Sequence, residues 1–405
     1  MSKNVKAIRG NPEYIRKINR SLIIKTIMEN GVISRSELAV RTSLALPTIM
    51  RIVSILVEEG LVVEVGKGDS SGGRKPTMLR MNAMSMYFVG VTIQSTMQVV
   101  LADISGNVVS SSVCDLDPKY KPDSVLNLIV GEVETLASQR GIPLAKIKYA
   151  GIGMPGTGFK HSGGQSNFPF AVWKDFDYGQ WQNTGRLPFP VELENVAKLG
   201  ALGELMFGNA KNHRNFIYVF AGHGIGAGVV IDGNFFKGAD GVAGEFGHTI
   251  VKLGDRPCYC GNIGCIETYC STNAVIAQYI DSVHADNALK GMLAVSPNFS
   301  LLASAAYSGD MFALKCIEDS ARMLGIGVGG LINLFNPSLI VIGGELVESC
   351  AGYTSLVAEA ARANIFRNSA TKLEIIPGKL NDQASVMGAI ALAMSKVFDH
   401  VLMYQ

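Results

Sequence analysis

Charge is scarce in this chain of 405 residues. Only 17% of positions are Asp, Glu, Lys or Arg, and the formal net charge is +2. With 48% hydrophobic residues, that composition excludes a disordered polyelectrolyte and describes a folded protein with a large core. The length points to two or three domains. Long apolar runs are missing too. No stretch of about eighteen uncharged apolar residues occurs, so no transmembrane helix and no membrane insertion are expected. The opening MSKNVKAIRGNPEY lacks the apolar segment of a secretion signal. Cysteine is sparse, and four of the seven (Cys114, Cys270, Cys316 and Cys350) are scattered without a disulfide-framework spacing. A reducing cytoplasm is the expected location.

The charge that is present lies unevenly. Residues 1–80 carry fourteen Lys or Arg against seven Asp or Glu, and the rest of the chain is mildly acidic. A basic front on an acidic body suits a polyanion, although a solvated basic face has the same composition. From Arg20 to Leu61 the apolar spacing is helical. Ser34 with Glu37 three positions on forms a capping-box pattern that starts a second helix. A third helix begins near Pro47, with Ile49, Ile52, Val53 and Leu56 inward and Thr48, Arg51 and Ser54 outward. Two short apolar runs then flank a Gly/Ser-rich basic tip at 66–74, as in a β-hairpin wing. This order is that of a winged helix-turn-helix, in which the third helix enters the major groove and the wing reaches phosphate. Candidate DNA contacts are Pro47, Thr48, Arg51, Ser54, Arg74 and Lys75. A small helical protein-interaction domain is the competing reading.

The remaining three cysteines are clustered. Cys258, Cys260 and Cys265 follow His248 within residues 244–269, GEFGHTIVKLGDRPCYCGNIGCIETY. One imidazole and three thiolates complete a closed tetrahedral set of the kind that holds a structural Zn²⁺. Glu245 and Glu267 flank the motif without occupying ligand positions. Three buried thiols with no metal remain the plainer alternative. After Asn82 strand-like runs alternate with helical ones, twice over. Strands are expected near 88–93, 99–104, 108–114, 149–154, 191–193, 217–220, 229–231, 234–236, 337–344 and 373–376, and helices at 122–140, from 194–197 through 207, and at 272–283, 311–335 and 384–397. Two similar α/β lobes with a cleft between them follow.

GEFGH, CYCGNIGCIE and the glycine turn GHGIGAG at 222–228 together resemble the ROK family of repressors, open reading frames and sugar kinases. The winged helix and GGRKP at 72–76 resemble its repressor branch, which includes glucose and N-acetylglucosamine regulators. The resemblance implies a two-lobed, actin-like (ribonuclease-H-like) ATPase fold. It divides the chain into a DNA-binding domain at 1–82, a first lobe at 83–200 completed by a C-terminal helix at 384–405, and a second lobe at 201–383 carrying the zinc loop. It also implies that sugar hydroxyls meet Asn195, Glu245, His248, Glu267 and Asn167. Two parts of the family's kinase machinery are changed. The phosphate-cradling Asp-x-Gly-Gly-Thr is replaced by residues 92–96, TIQST, and the proton-accepting Asp of Glu-Asn-Asp is Val196. Valine accepts no proton, and a general base contributes roughly 10²–10⁴ in rate. The expectation is a sugar-responsive repressor that is no enzyme. It would bind operator DNA as a homodimer or homotetramer, with a sugar or sugar phosphate as effector and structural zinc. An active sugar kinase, or a repressor that senses a transporter protein, would be the rival.

Overall fold

The computed structural model describes residues 12–68, 75–94, 96–117, 119–156, 185, 187–284, 287–366 and 372–398. The chain opens with helices α1 (Pro12–Asn30), α2 (Arg35–Thr42) and α3 (Leu46–Glu58). The first therefore begins well before the Arg20 suggested by the apolar pattern. The capping box forms as expected: Ser34 Oγ accepts from the Glu37 N–H at 3.2 Å, and Glu37 Oε2 accepts from the Ser34 N–H at 2.8 Å. Ile49, Ile52, Val53 and Leu56 bury the inner face of α3. Strands β1 (Ile33–Ser34), β2 (Val62–Lys67) and β3 (Thr77–Met81) form a small sheet in the order β1-β3-β2. The β2–β3 hairpin is the expected wing, whose tip at 69–74 lies outside the described residues. The pairing of β1 with β3 was not foreseen, because a two-residue strand carries no periodicity.

Two five-stranded sheets follow. The first contains β4 (Tyr87–Ile93), β5 (Thr96–Asp103), β6 (Val108–Asp115), β7 (Ile147–Met154) and β8 (Val191–Asn195), in the order β6-β5-β4-β7-β8. Helix α4 (Pro122–Gln139) connects β6 to β7, and α5 (Val196–Met206) leaves β8. The second contains β9 (Phe216–Ala221), β10 (Ile225–Ile231), β11 (Asn234–Phe235), β12 (Leu339–Gly343) and β13 (Glu374–Pro377), in the order β11-β10-β9-β12-β13. In each sheet three strands run as an antiparallel meander and two more join in parallel. The same topology thus occurs twice, as the repeated sequence pattern required. The second lobe adds α6 (Glu267–Cys270), α7 (Thr272–Ser282), α8 (Ala288–Val295), α9 (Phe299–Tyr307), α10 (Met311–Phe335), α11 (Glu345–Ser349) and α12 (Tyr353–Ala363). Of these the apolar pattern had indicated only α7 and α10. The last described element is α13 (Ala384–Val397).

Helix α13 is the mechanical centre of the molecule. Every residue from Ala384 to Ser395 is buried. It lies on β4, β7 and α5 at backbone contact distance, because glycine stands at the crossing points. A Cβ on Gly151 would come within 2.1 Å of the Ala389 carbonyl oxygen, and one on Gly203 within 2.1 Å of that of Ala384. Helix α5 also packs against β9 and β10 of the second sheet. The sequence-derived lobe boundary at 200/201 therefore falls inside a helix shared by both lobes. At the far end of α13, Ile390, Met394 and Phe398 join Ile23, Ile27 and Leu56 of the N-terminal helices in one continuous apolar core. Ser21 Oγ donates to the Phe398 carbonyl at 3.1 Å. Among the described residues no single helix is long and apolar enough to cross a membrane.

Candidate functional site

The loop after β11 is held against β10 by two close backbone approaches. The Ala227 N–H donates to the Gly244 carbonyl at 2.9 Å, and a Cβ on Gly247 would meet the Ile225 carbonyl oxygen at 2.1 Å. Gly244 also has φ +92°, a conformation that side chains disfavour. GEFGH therefore keeps both glycines so that Glu245 and His248 can be carried on a turn pressed to the sheet.

His248 faces two ways. Its Nδ1 lies 3.6 Å from Cys258 Sγ, while Cys260 Sγ lies 3.7 Å from Cys265 Sγ. All four candidate ligand atoms fall within 4.8 Å of one another. Tetrahedral bonds of about 2.3 Å to sulfur and about 2.0–2.1 Å to nitrogen place neighbouring ligand atoms roughly 3.5–3.8 Å apart. The donor set and its spacing therefore fit a tetrahedral metal. Burial pushes the Cys258 thiol up and that of Cys265 up to about 12. A divalent cation offsets that cost by stabilising the thiolates. The loop is braced from outside by Tyr269, whose hydroxyl donates to Asp255 and whose ring lies 4.6 Å from the Arg256 guanidinium carbon.

The other nitrogen of His248 faces away from the sulfurs. Nε2 lies 3.3 Å from the Tyr259 hydroxyl and 4.0 Å from Glu245 Oε2. Glu267 Oε2 accepts from the Ile225 N–H at 2.8 Å, tucked against Gly224, where a Cβ would stand 2.9 Å from that oxygen. Burial raises the Glu245 carboxyl, with Lys198 and His248 opposing and Glu267 adding to it. Burial likewise raises Glu267, opposed by the Ile225 N–H, His248 and Tyr259. The sequence reading missed Lys198 and Tyr259. Lys198 is buried, and its ammonium donates to the Gly241 carbonyl beside the Glu245 loop. A lone cation in the otherwise apolar AKLGALG was the available signal.

Asn195 stands at the start of α5, three residues from Lys198. Its side chain is a helix cap: Oδ1 accepts from the Ala197 N–H at 2.8 Å, and Nδ2 donates to the Gly156 carbonyl at 2.9 Å. Oδ1 also accepts from the Lys198 N–H at 3.4 Å, so one N–H remains for a ligand. Asn167 lies outside the described residues. The two altered kinase positions converge. A Cβ on Gly153 would stand 3.1 Å from Thr92 Cγ2 and 3.4 Å from Val196 Cγ1. Two methyl groups, both from buried residues, thus line the spot between β4, β7 and α5. His223, in the glycine turn, faces Glu345 with Nδ1 3.4 Å from Oε2.

On the N-terminal head Pro47, Arg51, Ser54 and Lys75 are exposed, and Arg74 lies outside the described residues. Thr48 departs from expectation. It is half-buried, because it shares a helix side with the buried Ile52 four positions on.

A model described as the ROK family matches residues 94–396, and one described as winged helix-turn-helix DNA-binding matches residues 16–63. The chain is 31% identical to the xylose repressor of Caldicellulosiruptor bescii over 95% of this chain and 98% of the relative. It resembles the crystal structure of a ROK family transcriptional regulator, a homologue of the E. coli MLC protein, with 25% identity and a TM-score of 0.76, covering 96% of this chain and 98% of that one. A ROK family glucokinase from Streptomyces griseus, in complex with glucose and AMPPNP, matches with 24% identity and a TM-score of 0.65 over 76% of this chain and 99% of that one. At that identity the last likeness speaks for the fold.

Proposed function

The chain belongs to the ROK family, and from that membership we propose that it is a sugar-responsive DNA-binding repressor of carbohydrate genes rather than a kinase. One observation carries the reading. A head of winged helix-turn-helix design is fused to a two-lobed sugar-kinase fold, and Val196 follows Glu194-Asn195 where the family pattern carries its proton acceptor. Methyl groups of Thr92 and Val196 both border Gly153, and a proton cannot be taken by a hydrocarbon. The hydroxyl-binding chemistry is retained beside it.

In this reading Glu245, Glu267, His248 Nε2 and the remaining N–H of Asn195 bind vicinal hydroxyls of a sugar, with Asn167 as a further contact. Carboxylates accept from two neighbouring O–H groups, and an amide exchanges hydrogen bonds with both. His248, Cys258, Cys260 and Cys265 would hold zinc with no open position. The metal would supply stability, and His248 would turn its second nitrogen to the ligand. The relative named as a xylose repressor makes pentoses the first ligands to try.

The route from ligand to DNA follows α13. Ser385 Oγ donates to the Val196 carbonyl at 2.9 Å, next to Asn195, and the other end of the helix carries the Phe398–Ser21 contact with the head. Sugar shifts the population of lobe arrangements only by its differential affinity for them, and α13 passes the change to the head. Two heads in a homodimer or homotetramer would read a two-fold operator in the cytoplasm.

The test is fluorescence anisotropy of the purified chain on promoter duplexes, with and without xylose, glucose, N-acetylglucosamine and their phosphates. Sugar-dependent release of DNA supports the reading. Phosphorylation of any of these sugars with ATP refutes it. DNA binding that no sugar alters, but a transporter subunit does, would assign the signal to a protein partner.

A further inference from the structure

The first two turns of the recognition helix carry two large apolar side chains that the protein core does not use. Leu46 and Met50 are 46% and 54% exposed, although Ile49, Ile52, Val53 and Leu56 already fill the inner face of α3. They are four positions apart, so they stand on one side of the helix, roughly 6 Å apart along its axis. They occupy its first two turns, the part of a helix-turn-helix that meets base edges. Pro47, Arg51 and Ser54, all exposed, surround them. The apolar feature of the major groove is the C5-methyl group of thymine.

Resting on the DNA-binding reading above, we infer that Leu46 and Met50 read thymine methyl groups, so that each operator half-site presents two thymines facing α3. With a rise of about 3.4 Å per base pair, a 6 Å separation places these thymines about two steps apart. The alternative occupant is a protein surface. Two side chains bordered by Arg51 and Ser54 fall far short of the roughly 800 Å² that a stable interface takes from each partner.

The full-length chain is used to select from a randomised duplex library. The enriched duplex is then remade with deoxyuridine at the thymines of each half-site, which removes only the methyl groups. Wild-type protein is expected to lose about three- to fivefold in affinity per methyl, the worth of one buried carbon. Met50→Ala should bind the thymine duplex more weakly and lose its preference over uracil at one of the two positions; Leu46→Ala should do so at the other. Met50→Gln, which keeps the bulk, separates methyl recognition from simple filling and should also lose the preference. Arg51→Ala should bind weakly but keep it. The inference is overturned by half-sites without thymine, by equal affinity for thymine and uracil duplexes, or by a Met50→Ala protein that discriminates as before. It is likewise overturned if Met50→Ala changes the oligomeric state while leaving DNA affinity intact. Failure to enrich any duplex would instead remove the DNA-binding reading itself.

Discussion

Gly388 sets two physical effects against each other. It lies in the interior of α13 with no positive φ. Helix propensity alone says that alanine there should stabilise the protein by about 0.5–1 kcal/mol. Packing says the opposite. A Cβ on Gly388 would stand 1.8 Å from the Leu199 carbonyl oxygen and 2.4 Å from its carbon. A relaxed C···O contact is about 3.3 Å, so α13 and α5 must part by roughly 1.5 Å. The obstacle is helix backbone and has no rotamer to escape into. Separation also loosens the neighbouring close approach, Gly203 on Ala384. Overpacking of this kind costs about 1–3 kcal/mol or more, which outweighs the propensity gain. The net cost of about 2 kcal/mol corresponds to a fall in Tm of roughly 2–3 °C for a chain of this length. Gly131→Ala in α4 is the control. It is also helical, but nothing lies within 4 Å of its Cβ position, so a rise of about 1 °C is expected. Differential scanning fluorimetry on the two variants decides the matter. If Gly388→Ala matched or exceeded the wild type, the helix seam described here would be wrong.

Three further outcomes follow from the same geometry. Cys260→Ser should abolish stoichiometric zinc, measured by mass spectrometry of the native protein, and lower Tm; an unchanged melting temperature would speak against a structural metal. Arg51→Ala should weaken duplex binding by about tenfold or more with sugar affinity unaltered; a matching loss of sugar affinity would mean that the variant had disturbed the fold. Glu348 supplies a pH dependence. Partial desolvation at a surface position, with Asp382 and Glu345 adding to it, pushes its carboxyl up to about 7. Its native value thus exceeds the unfolded one. The protonated form favours the native state fully below the ordinary carboxylate range, and that contribution is lost as pH rises through about 7. Glu348→Gln should therefore raise Tm at pH 8 and change little near pH 4.5. Glu348 is exposed, so the effect is small, and a difference that grows toward low pH would contradict it.

Local chemistry was legible in the sequence and convergence was not. His248 and the three cysteines announced a ligand set, and the structure brings their ligand atoms within 4.8 Å. The capping box at Ser34 and the duplicated strand pattern were equally readable, since each depends on neighbours in the chain. Helices α8, α9, α11 and α12, of five to eleven residues, were missed because short helices owe their stability to tertiary packing rather than to their own pattern. Asn195 was read for its amide, but its role as a helix cap depends on where β8 ends. Lys198 became meaningful only when Gly241 and Glu245 were beside it.

On the proposed reading, Thr92 and Val196 give the strongest case for chemistry lost through changes in the core. Thr92 and Val196 lie more than a hundred residues apart in the chain, and each alone reads as a simple substitution. In the fold both approach the Gly153 position from opposite elements. If a carboxylate returned only at Val196, it would enter a buried apolar spot beside the Thr92 methyl group. An unpaired carboxylate there would be held neutral by desolvation and would be a poor base at neutral pH. Val196→Asp should therefore fail to restore phosphoryl transfer even with sugar bound, and it should destabilise the protein. The same residue passes its backbone carbonyl to Ser385 at the start of α13. On the proposed reading, Val196 stands where a kinase would accept a proton and instead fixes the helix packed against the N-terminal head, so reversing the chemistry would strike at the proposed signal path as well.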